Sequence, residues 1–324
     1  MTADKVMSLS EAVKTFIQDG AHVSFGGFTI NRQPMAVAYE VIRQGIKHLH
    51  VYEHSAGQAL DLLIGAGCVK VVELAYAGTG RFAPTCIRFR KAVEAGMLMV
   101  EDYTNYQMAM RFWAGAIGLP FAPVSSSMGT DIVSKWGLSA EFRQQNAKVA
   151  NKKLVVMDNP FARGTKEKVV LVPAIRPDVT IIHVQKADPQ GTIRIEGLTF
   201  ADVEQAKAAR QLIVTCEEIV PSETLRADPN KNQIPFFIVD AIVPLSFGAH
   251  PTACYGYYDY DAPHLNYYRE IAVDEARFRQ YLEEYVYHVN GHDGYLDKIG
   301  HQALTRIAAN PQLGYALGLR RDEV

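Results

Sequence analysis

The stretch DGAHVSFGGFTINRQP, residues 19–34, decides the fold. Its first half is a short apolar segment that ends at Gly26 and Gly27, which predicts a strand followed by a tight turn. Pro34 then opens an amphipathic segment that extends to Gln44, and proline suits the first turn of a helix because its missing N–H needs no partner there. Glycines at such a turn let backbone N–H groups face a ligand. The stretch therefore predicts a strand, a ligand-binding turn and a helix in succession.

The same alternation of strands and helices continues along the chain on both sides of a less regular middle part. The predicted strands are residues 22–28, 49–54, 69–76, 169–173, 179–185 and 211–216, and the predicted helices are residues 34–44, 58–64, 85–95, 107–117 and 200–210. This pattern favours an α/β fold with an open, mostly parallel sheet and helices on both faces. Further helices are predicted at residues 273–288 and near residue 296. We expect one domain, residues 1–324, with a helical C-terminal extension over about 262–324.

The composition argues against several classes of function. The 33 basic and 35 acidic residues give a net charge of −2, which offers no electrostatic footprint for nucleic acid or an anionic membrane. The four cysteines are scattered and form no CxxC pair, which favours reduced thiols over disulfides or a zinc site. No uncharged segment reaches the length of a membrane helix, about 20 residues, and residues 1–11 lack the apolar core of a signal peptide. We therefore expect a cytoplasmic protein that binds no metal.

Residues 19–34 resemble the signature of the A-type subunits in the family I coenzyme A (CoA) transferases. That pattern is Asp or Asn, Gly, two free positions, three apolar residues, Gly-Gly-Phe, three free positions, Gly, one free position and Pro. The chain departs from it at Ser24, within the apolar triplet, and at Arg32, in place of the last glycine. Further segments resemble the glutaconate CoA-transferase type, among them DNPF (158–161), PDVTIIHVQKADPQG (177–191), TCEEI (215–219) and GAHP (248–251). The resemblance extends from Met7 to Leu313.

The resemblance implies the family's fold and a two-subunit enzyme that moves CoA between an acyl-CoA and a dicarboxylate such as glutaconate. In this family a glutamate carboxylate attacks the thioester to form an acyl-glutamyl anhydride, and the released CoA thiolate then forms a glutamyl-CoA thioester. A carboxylate acceptor reverses these steps. That glutamate lies on the B-type subunit in a Ser-Glu-Asn-Gly sequence, which this chain lacks. We therefore expect the chain to need a CoA-transferase B-type subunit for activity, to use CoA as a substrate and to hold no permanent cofactor.

On this chain the resemblance assigns the turn of Gly26, Gly27 and Phe28 to the oxyanion and CoA site. A valine at position 27 is expected to damage activity more than folding. Arg32 is either a ligand for a second substrate carboxylate or a solvated side chain.

Glu53 and Ser55 end the second predicted strand, at the sheet edge where such folds place their chemistry. Glu53 is a nucleophile, a residue lining the site, or a hydrogen-bonded wall residue. Tyr76, Gly78 and Thr79 follow the third predicted strand, so they are expected to reach the same edge. They either hydrogen-bond a substrate carboxylate or the CoA pantetheine, or form a turn with a capping hydroxyl.

Ser127, in the loop SSSMGT (125–130), is a further candidate for a substrate contact. Four cations form either a rim for the CoA phosphates or a solvated helix face: Arg81, Arg88, Arg90 and Lys91.

Other polar residues are given structural roles. His183 and His250 are expected to be core histidines. Glu217 and Glu218 point to opposite faces of a strand, so they cannot act as a dyad. The tyrosines of residues 255–260 are expected to lie in an interface between subunits.

Two other functions are compatible with this sequence. A relative whose partner lacks the glutamate would decarboxylate a glutaconyl-type CoA ester or hydrolyse an acyl-CoA. A CoA-binding or assembly protein without turnover is the third hypothesis. The partner's sequence at the Ser-Glu-Asn-Gly position distinguishes the first two.

Overall fold

The computed structural model describes residues 4–135, 137–163 and 167–319. The strands are β1 (His22–Phe25), β2 (Leu49–Ala56), β3 (Val69–Ala77), β4 (Met99–Asp102), β5 (Phe121–Val124), β6 (Val155–Asp158), β7 (Lys168–Pro173), β8 (Val179–Ala187), β9 (Ile193–Arg194), β10 (Gln211–Ile219), β11 (Ala241–Pro244), β12 (Ala309–Asn310) and β13 (Tyr315–Ala316). The helices are α1 (Leu9–Phe16), α2 (Met35–Arg43), α3 (Gln58–Gly65), α4 (Ile87–Glu94), α5 (Asn105–Ala116), α6 (Asp131–Ser134), α7 (Ala140–Gln145), α8 (Asp202–Ala208), α9 (Ser222–Arg226), α10 (Ala262–Ala272), α11 (Glu275–Leu282), α12 (Gly291–Ile299) and α13 (His301–Ile307).

The main sheet has the strand order β11-β10-β8-β1-β2-β3-β4, and all of these strands are parallel. The short strand β9 pairs antiparallel with β8. The predicted open, mostly parallel sheet is therefore confirmed. Strand β1 lies at its centre, so the turn that follows β1 leaves the middle of the sheet.

Helices cover both faces of this sheet, as predicted. Val179 and Ile181 of β8 pack on one side with the buried faces of α1, α2, α3 and α4. Ile182 and Val184 of the same strand pack on the other side with α8. Because successive side chains of a strand point to opposite faces, a nearly continuous apolar run such as this one is typical of a strand buried on both sides.

A second, antiparallel sheet with the order β5-β7-β6 is not evident from the sequence pattern. Residues 169–173 were expected to resume the parallel pattern, but they belong to β7, in the middle of this small sheet. Val170 and Val172 are fully buried while their neighbours are partly exposed. That alternation is typical of an antiparallel strand with one solvated face.

The C-terminal region is helical from α10 to α13, and the short hairpin of β12 and β13 follows. Helix α10 lies at the start of the predicted extension and begins after Asp261, an N-cap whose carboxylate accepts the backbone N–H of His264. Hydrogen bonds between the Tyr39 hydroxyl and the hydroxyls of Tyr281 and Tyr295 attach these helices to α2. The helical extension is confirmed for the described residues, and residues 320–324 lie outside them. The assignment of one domain stays a prediction.

Two of the four cations proposed as a rim for the CoA phosphates bond the C-terminal helical region instead. Arg88 is buried and bonds the carboxylate of Glu275 and the carbonyl of Ala272. Lys91 bonds the carbonyl of Val273. The interpretation of Arg88 as a rim or solvated residue is therefore wrong. Among the described residues, no helix has both the length and the apolar character needed to cross a membrane.

A buried ion pair holds α5 against the sheet. Arg111 of α5 lies 2.6 Å from Glu73 of β3, and each side chain is at most 4% exposed. His50 of β2 bonds the second oxygen of Glu73 at 2.8 Å. Burial opposes the ionisation of Glu73, but Arg111 and His50 outweigh it and lower its pKa to about 2. The pair fixes α5, whose N-terminus lies beside the candidate site.

We predict that Arg111→Met destabilises the chain by about 3–5 kcal/mol, because it leaves the Glu73 carboxylate buried without its cation. The free energy of unfolding in urea measures this. Arg90→Met is the matched control, since Arg90 is exposed and 4.0 Å from Glu94; its expected effect is below about 1 kcal/mol. Equal losses in the two variants would contradict the role given to Arg111.

Candidate active site

The carboxyl ends of β1, β2 and β3 bring most of the predicted site residues to one edge of the sheet. Ser55 of β2 pairs with Tyr76 of β3. The N–H of Thr29 donates to the Ser55 carbonyl at 3.0 Å, and the N–H of Gly78 donates to the Ala56 carbonyl at 3.1 Å. The segments after the three strands are therefore neighbours, as the parallel arrangement requires.

The backbone amides of the glycine turn all donate within the chain. The N–H of Gly26 bonds the Ile181 carbonyl at 2.8 Å, and that of Phe28 bonds the Asn31 carbonyl at 2.8 Å. The N–H of Gly27 donates to Oδ1 of Asp202 at 2.7 Å. The sequence suggests that these N–H groups are free to bind a ligand. To stabilise an oxyanion, they would have to leave their present acceptors and bond the substrate instead. The assignment of the turn to the CoA site stays a prediction.

Arg32 is buried and bonded to the chain itself. Its guanidinium bonds Oδ2 of Asp202 at 2.8 Å, the carbonyl of His183 at 3.1 Å and the carbonyl of Leu198 at 2.7 Å. With 2% of its surface exposed it is not a solvated side chain. A substrate carboxylate would compete with Asp202 for it. Asp202 thus connects Arg32 to the amide of Gly27.

Stacked aromatic rings and left-handed backbone angles lie beside the contacts of Asp202. Phe200, two residues before Asp202, stacks on Phe28 with the ring centroids 5.0 Å apart. Phe200, Arg32 and Thr29 have φ values of +49°, +49° and +51°. Left-handed backbone is costly for residues other than glycine, and it concentrates at functional sites.

Two clefts flank Phe200. The larger has a volume of about 490 Å³, and the smaller about 320 Å³. The larger is lined by Asn31, Arg32, Leu198, Phe200, Tyr255 and Tyr258, among others. The smaller is lined by Phe28, His54, Met110, Trp113, Phe200 and Glu204, among others. Clefts of this size accommodate part of a small-molecule ligand.

Glu53 is enclosed beside the turn, with 1% of its surface exposed. Its Oε1 has no hydrogen-bond partner within the described residues. Burial, together with the negative charge of Asp202, raises the pKa of Glu53 well above its usual value. A neutral carboxylic acid is a poor nucleophile, so this environment favours a residue of the site wall over a nucleophile.

Residues in and around the end of β2 carry further unpartnered polar atoms. Within the described part of the chain, these are Nδ1 of His54, both amide atoms of Gln58 and Nε2 of Gln33. A β-carbon on Gly57 would lie 2.9 Å from the Gln33 amide atoms and closer still to the Thr29 carbonyl oxygen. Glycine is therefore required at position 57. Because buried polar atoms are nearly always hydrogen-bonded, Gln33 and Gln58 are additional candidate ligand contacts.

The remaining candidates have partners within the chain. The Ser55 hydroxyl donates to Oδ1 of Asn105 at 3.1 Å, and the Tyr76 hydroxyl donates to the Pro84 carbonyl at 2.8 Å. The N–H of Thr79 bonds the Ala83 carbonyl at 2.8 Å, which closes a local turn.

Ser127 accepts a hydrogen bond from the Gln107 side chain at 2.7 Å. Gln107 belongs to the first turn of α5, which begins at Asn105 next to Ser55. The start of α5 therefore brings Ser127 to the same edge.

The residues given structural roles behave as expected, with one exception. His183 is fully buried and bonds Thr215 and Glu217, while Glu218 is exposed on the opposite face of β10. His250 is 1% exposed. Ligand atoms of His183, Glu217 and Cys254 lie within 4.8 Å of one another, but both ring nitrogens of His183 are already hydrogen-bonded.

The exception is the tyrosine segment 255–260, which was expected to lie in an interface between subunits. Tyr258 and Tyr260 are 2% and 6% exposed within the single chain, so for these two the expectation is wrong. Tyr258 donates instead to the buried carboxylate of Glu217.

The sequence pattern missed Phe200 and Asp202, which organise the site. Asp202 lies 175 residues from Gly27 along the chain, and only the fold brings them together. Their segment, Thr199–Asp202, carries no glycine or charge pattern that would single it out. The buried Gln33 and Gln58 were missed because unpartnered amides are visible only in three dimensions.

The chain is similar over most of its length to proteins that act on CoA esters. A family model described as coenzyme A transferase matches residues 6–244. The A-type subunit of glutaconate CoA-transferase from Acidaminococcus fermentans is 43% identical over 319 residues, which are 98% of this chain and 99% of that protein. A chain of the crystal structure of glutaconate CoA-transferase from that organism superposes with a TM-score of 0.93, covering 97% of this chain and 98% of the other.

More distant similarities include another CoA-transferase and a decarboxylase. The A-type subunit of 3-oxoadipate CoA-transferase from Pseudomonas knackmussii is 34% identical, covering 87% of this chain and 93% of that protein. A chain of the decarboxylase AibA/AibB, in a variant form, is 29% identical with a TM-score of 0.72, covering 87% of this chain and 98% of the other.

We predict that Gly27→Ala destabilises the chain by about 1–3 kcal/mol more than Gly45→Ala. Both glycines have a left-handed backbone, with φ of +87° and +70°. A β-carbon at position 27 would lie 2.6 Å from the Asn31 carbonyl oxygen, whereas none of the described atoms lies within 4 Å at position 45. A larger residue at position 27 is therefore expected to cost folding stability as well, and its greater effect on activity stays a prediction. Urea unfolding measures the difference, and equal losses would contradict this account.

We predict that Glu53→Gln flattens the dependence of stability on pH. A carboxyl group with a raised pKa contributes stability while it is protonated, and this contribution is lost as the pH rises from its usual pKa through its raised one. The wild-type chain should therefore lose unfolding free energy relative to the variant from about pH 5 upward. The exposed Glu94 supplies the control, Glu94→Gln. A wild-type chain that gains stability relative to Glu53→Gln over this range would show that the pKa is lowered instead.

Proposed function

The chain belongs to the coenzyme A transferase family, and we propose that it is the A-type subunit of an enzyme that moves CoA between an acyl-CoA and a dicarboxylate such as glutaconate. The observation that carries this proposal is the superposition of nearly the whole chain on a glutaconate CoA-transferase chain. The similar proteins from A. fermentans and P. knackmussii are both named as A-type components of such transferases. A partner chain, the B-type subunit, is part of the proposal.

We place the reactive glutamate on that partner. Its carboxylate attacks the thioester carbonyl of the acyl-CoA, which gives an acyl-glutamyl anhydride and CoA thiolate. The thiolate attacks the glutamyl carbonyl, which gives an enzyme-bound CoA thioester and releases the carboxylic acid as its anion. The acceptor dicarboxylate reverses both steps. Glu53 is a poor substitute for this nucleophile, since burial and the charge of Asp202 raise its pKa and so disfavour the ionised form.

In this proposal the present chain contributes the wall that closes the reaction space. Phe28 and Phe200 place stacked aromatic rings at the end of β1, between the two clefts. An apolar wall matters because an anhydride or a thioester that meets water is hydrolysed, and the CoA is then lost. Gly26 and Gly27 have no side chains, so the backbone of the turn can lie close to a ligand at this wall. The turn is held in place by Asp202.

Polar residues on the same edge supply the substrate contacts of the proposal. Ser55, Tyr76, Thr79 and Ser127 surround the ends of β2 and β3 and the start of α5. Glu53 lies among them, and its raised pKa favours the protonated form, which can donate a hydrogen bond to a substrate oxygen. CoA takes part as a substrate, with no permanent cofactor. The four free, buried cysteines support a reducing, cytoplasmic location.

Decarboxylation of a CoA ester is the second candidate function. The similarity to the AibA/AibB decarboxylase supports it, but at lower identity and over less of the chain than the similarity to the transferase. The deciding residue lies on the partner, because loss of the partner's glutamate removes the anhydride route. The sequence of that partner therefore distinguishes the two.

We predict that the purified chain exchanges no CoA by itself, and that its partner raises the rate by at least about 10³-fold. The measurement follows transfer of CoA from glutaconyl-CoA to isotopically labelled carboxylates, with glutaconate, adipate and acetate compared as acceptors. The control complex carries an aspartate in place of the partner's glutamate, and it should be inactive because the shorter carboxylate does not reach the thioester. Turnover by the single chain that Glu53→Gln abolishes would place the nucleophile on this chain instead.

A further inference from the structure

A separate charged pocket lies at the opposite end of the sheet from Phe28. It sits where β8 and β10 begin, and its volume is about 180 Å³. The N–H of Arg210 donates to the Pro177 carbonyl at 3.0 Å, and this bond brings Arg210 and Arg176 side by side at the starts of two adjacent strands. The charged lining residues are Glu73, Arg111, Lys148, Arg176, Asp178 and Arg210.

The charges of this pocket do not balance. Of its four cations, Arg111 is paired with Glu73 at 2.6 Å, and Lys148 with Asp178 at 2.5 Å. The guanidinium groups of Arg176 and Arg210 have no ion pair or hydrogen bond with any residue that the structure describes. Both side chains are exposed, so a ligand reaches them without any rearrangement. Two unpaired cations at one concave site attract a counter-anion.

The floor of the pocket is polar and carries no net charge. Tyr52 is 5% exposed, and its hydroxyl is 2.8 Å from Nδ1 of His22. Burial raises the pKa of Tyr52 well above its usual value, so the hydroxyl stays neutral. Arg111 is fixed beside it by Glu73. An anion bound here would meet Tyr52 and Arg111 on the inner side and the exposed arginines on the outer side.

We propose that this pocket binds a small tetrahedral anion of the phosphate class. The volume is below the range of about 300–1,000 Å³ of sites for larger organic ligands, so it suits an ion or a single phosphoryl group. The two unpaired arginines match a charge of about −2, which phosphate approaches at neutral pH. Arg176, Arg210 and Lys148 approach from three separate backbone segments. The oxygens of a tetrahedral anion accept from several directions, whereas a carboxylate presents two coplanar oxygens to one arginine fork.

The test uses the full-length chain, alone and with its partner, titrated with sodium phosphate and sodium pyrophosphate at constant ionic strength. The midpoint of thermal unfolding should rise and saturate with either ligand, because a ligand that binds only the folded state stabilises it. In Arg176→Ser/Arg210→Ser the apparent affinity should fall at least about 10-fold, since charge-assisted hydrogen bonds are lost. The matched control is Arg277→Ser/Arg279→Ser, which removes two exposed arginines of α11. It should retain the wild-type affinity.

Each further outcome decides the proposal. A response that never saturates, follows ionic strength, or is equal in the two double variants indicates an adventitious ion only, and it overturns the proposal. In another outcome, glutaconate raises the unfolding midpoint of the wild-type chain but not of Arg176→Ser/Arg210→Ser, while phosphate has no effect. That result overturns the assignment to tetrahedral anions. Adenosine 3′,5′-bisphosphate serves as a third ligand. In the last outcome, the bisphosphate binds more tightly than pyrophosphate to the wild-type chain and fails to bind Arg176→Ser/Arg210→Ser. That result supports the proposal and identifies a nucleotide as the source of the phosphate group. CoA exchange is measured on the same samples, so failure here leaves the proposed transferase activity untouched.

Discussion

The carboxylate of Asp202 is the contact on which the rest of the site depends. One oxygen accepts the amide of Gly27 and the other accepts the guanidinium of Arg32, so a single residue attaches the turn after the first strand to a distant helix. Removal of one partner from a buried ion pair costs about 3–5 kcal/mol, because the other charge is left unpaired. The same carboxylate opposes the ionisation of Glu53. Burial is the first cause of the raised pKa of Glu53 and Asp202 adds to it, so the residue that holds the turn also influences the neighbouring glutamate.

The raised pKa of Glu53 supports the proposed division of labour between two chains. A buried glutamate that stays neutral shapes a pocket and donates hydrogen bonds, but attack on a thioester needs an ionised carboxylate. Such a carboxylate is costly to bury, and the stacked rings of Phe28 and Phe200 make this wall more apolar still. The arrangement is therefore suited to receive a reactive group from outside rather than to supply one.

The fold was predictable where short segments carry their own signal. The apolar run of β8 and the glycines after β1 determine a buried strand and a turn without reference to the rest of the chain. The small antiparallel sheet was missed because residues 169–173 were assigned by composition, although Val170 and Val172 alternate with less buried neighbours. In the site, Gly26–Phe28, Ser55 and Tyr76 were found at one edge because parallel strands end together. Asp202 could not be found, since nothing local to it marks a contact across 175 residues.

The left-handed backbone at Arg32 also limits how this sequence can change over time. Glycine adopts a φ of +49° without strain, whereas for arginine it costs about 1–2 kcal/mol. The ion pair with Asp202 offsets that cost. Replacing either member alone leaves a buried charge unmatched, so positions 32 and 202 are expected to change together rather than one at a time.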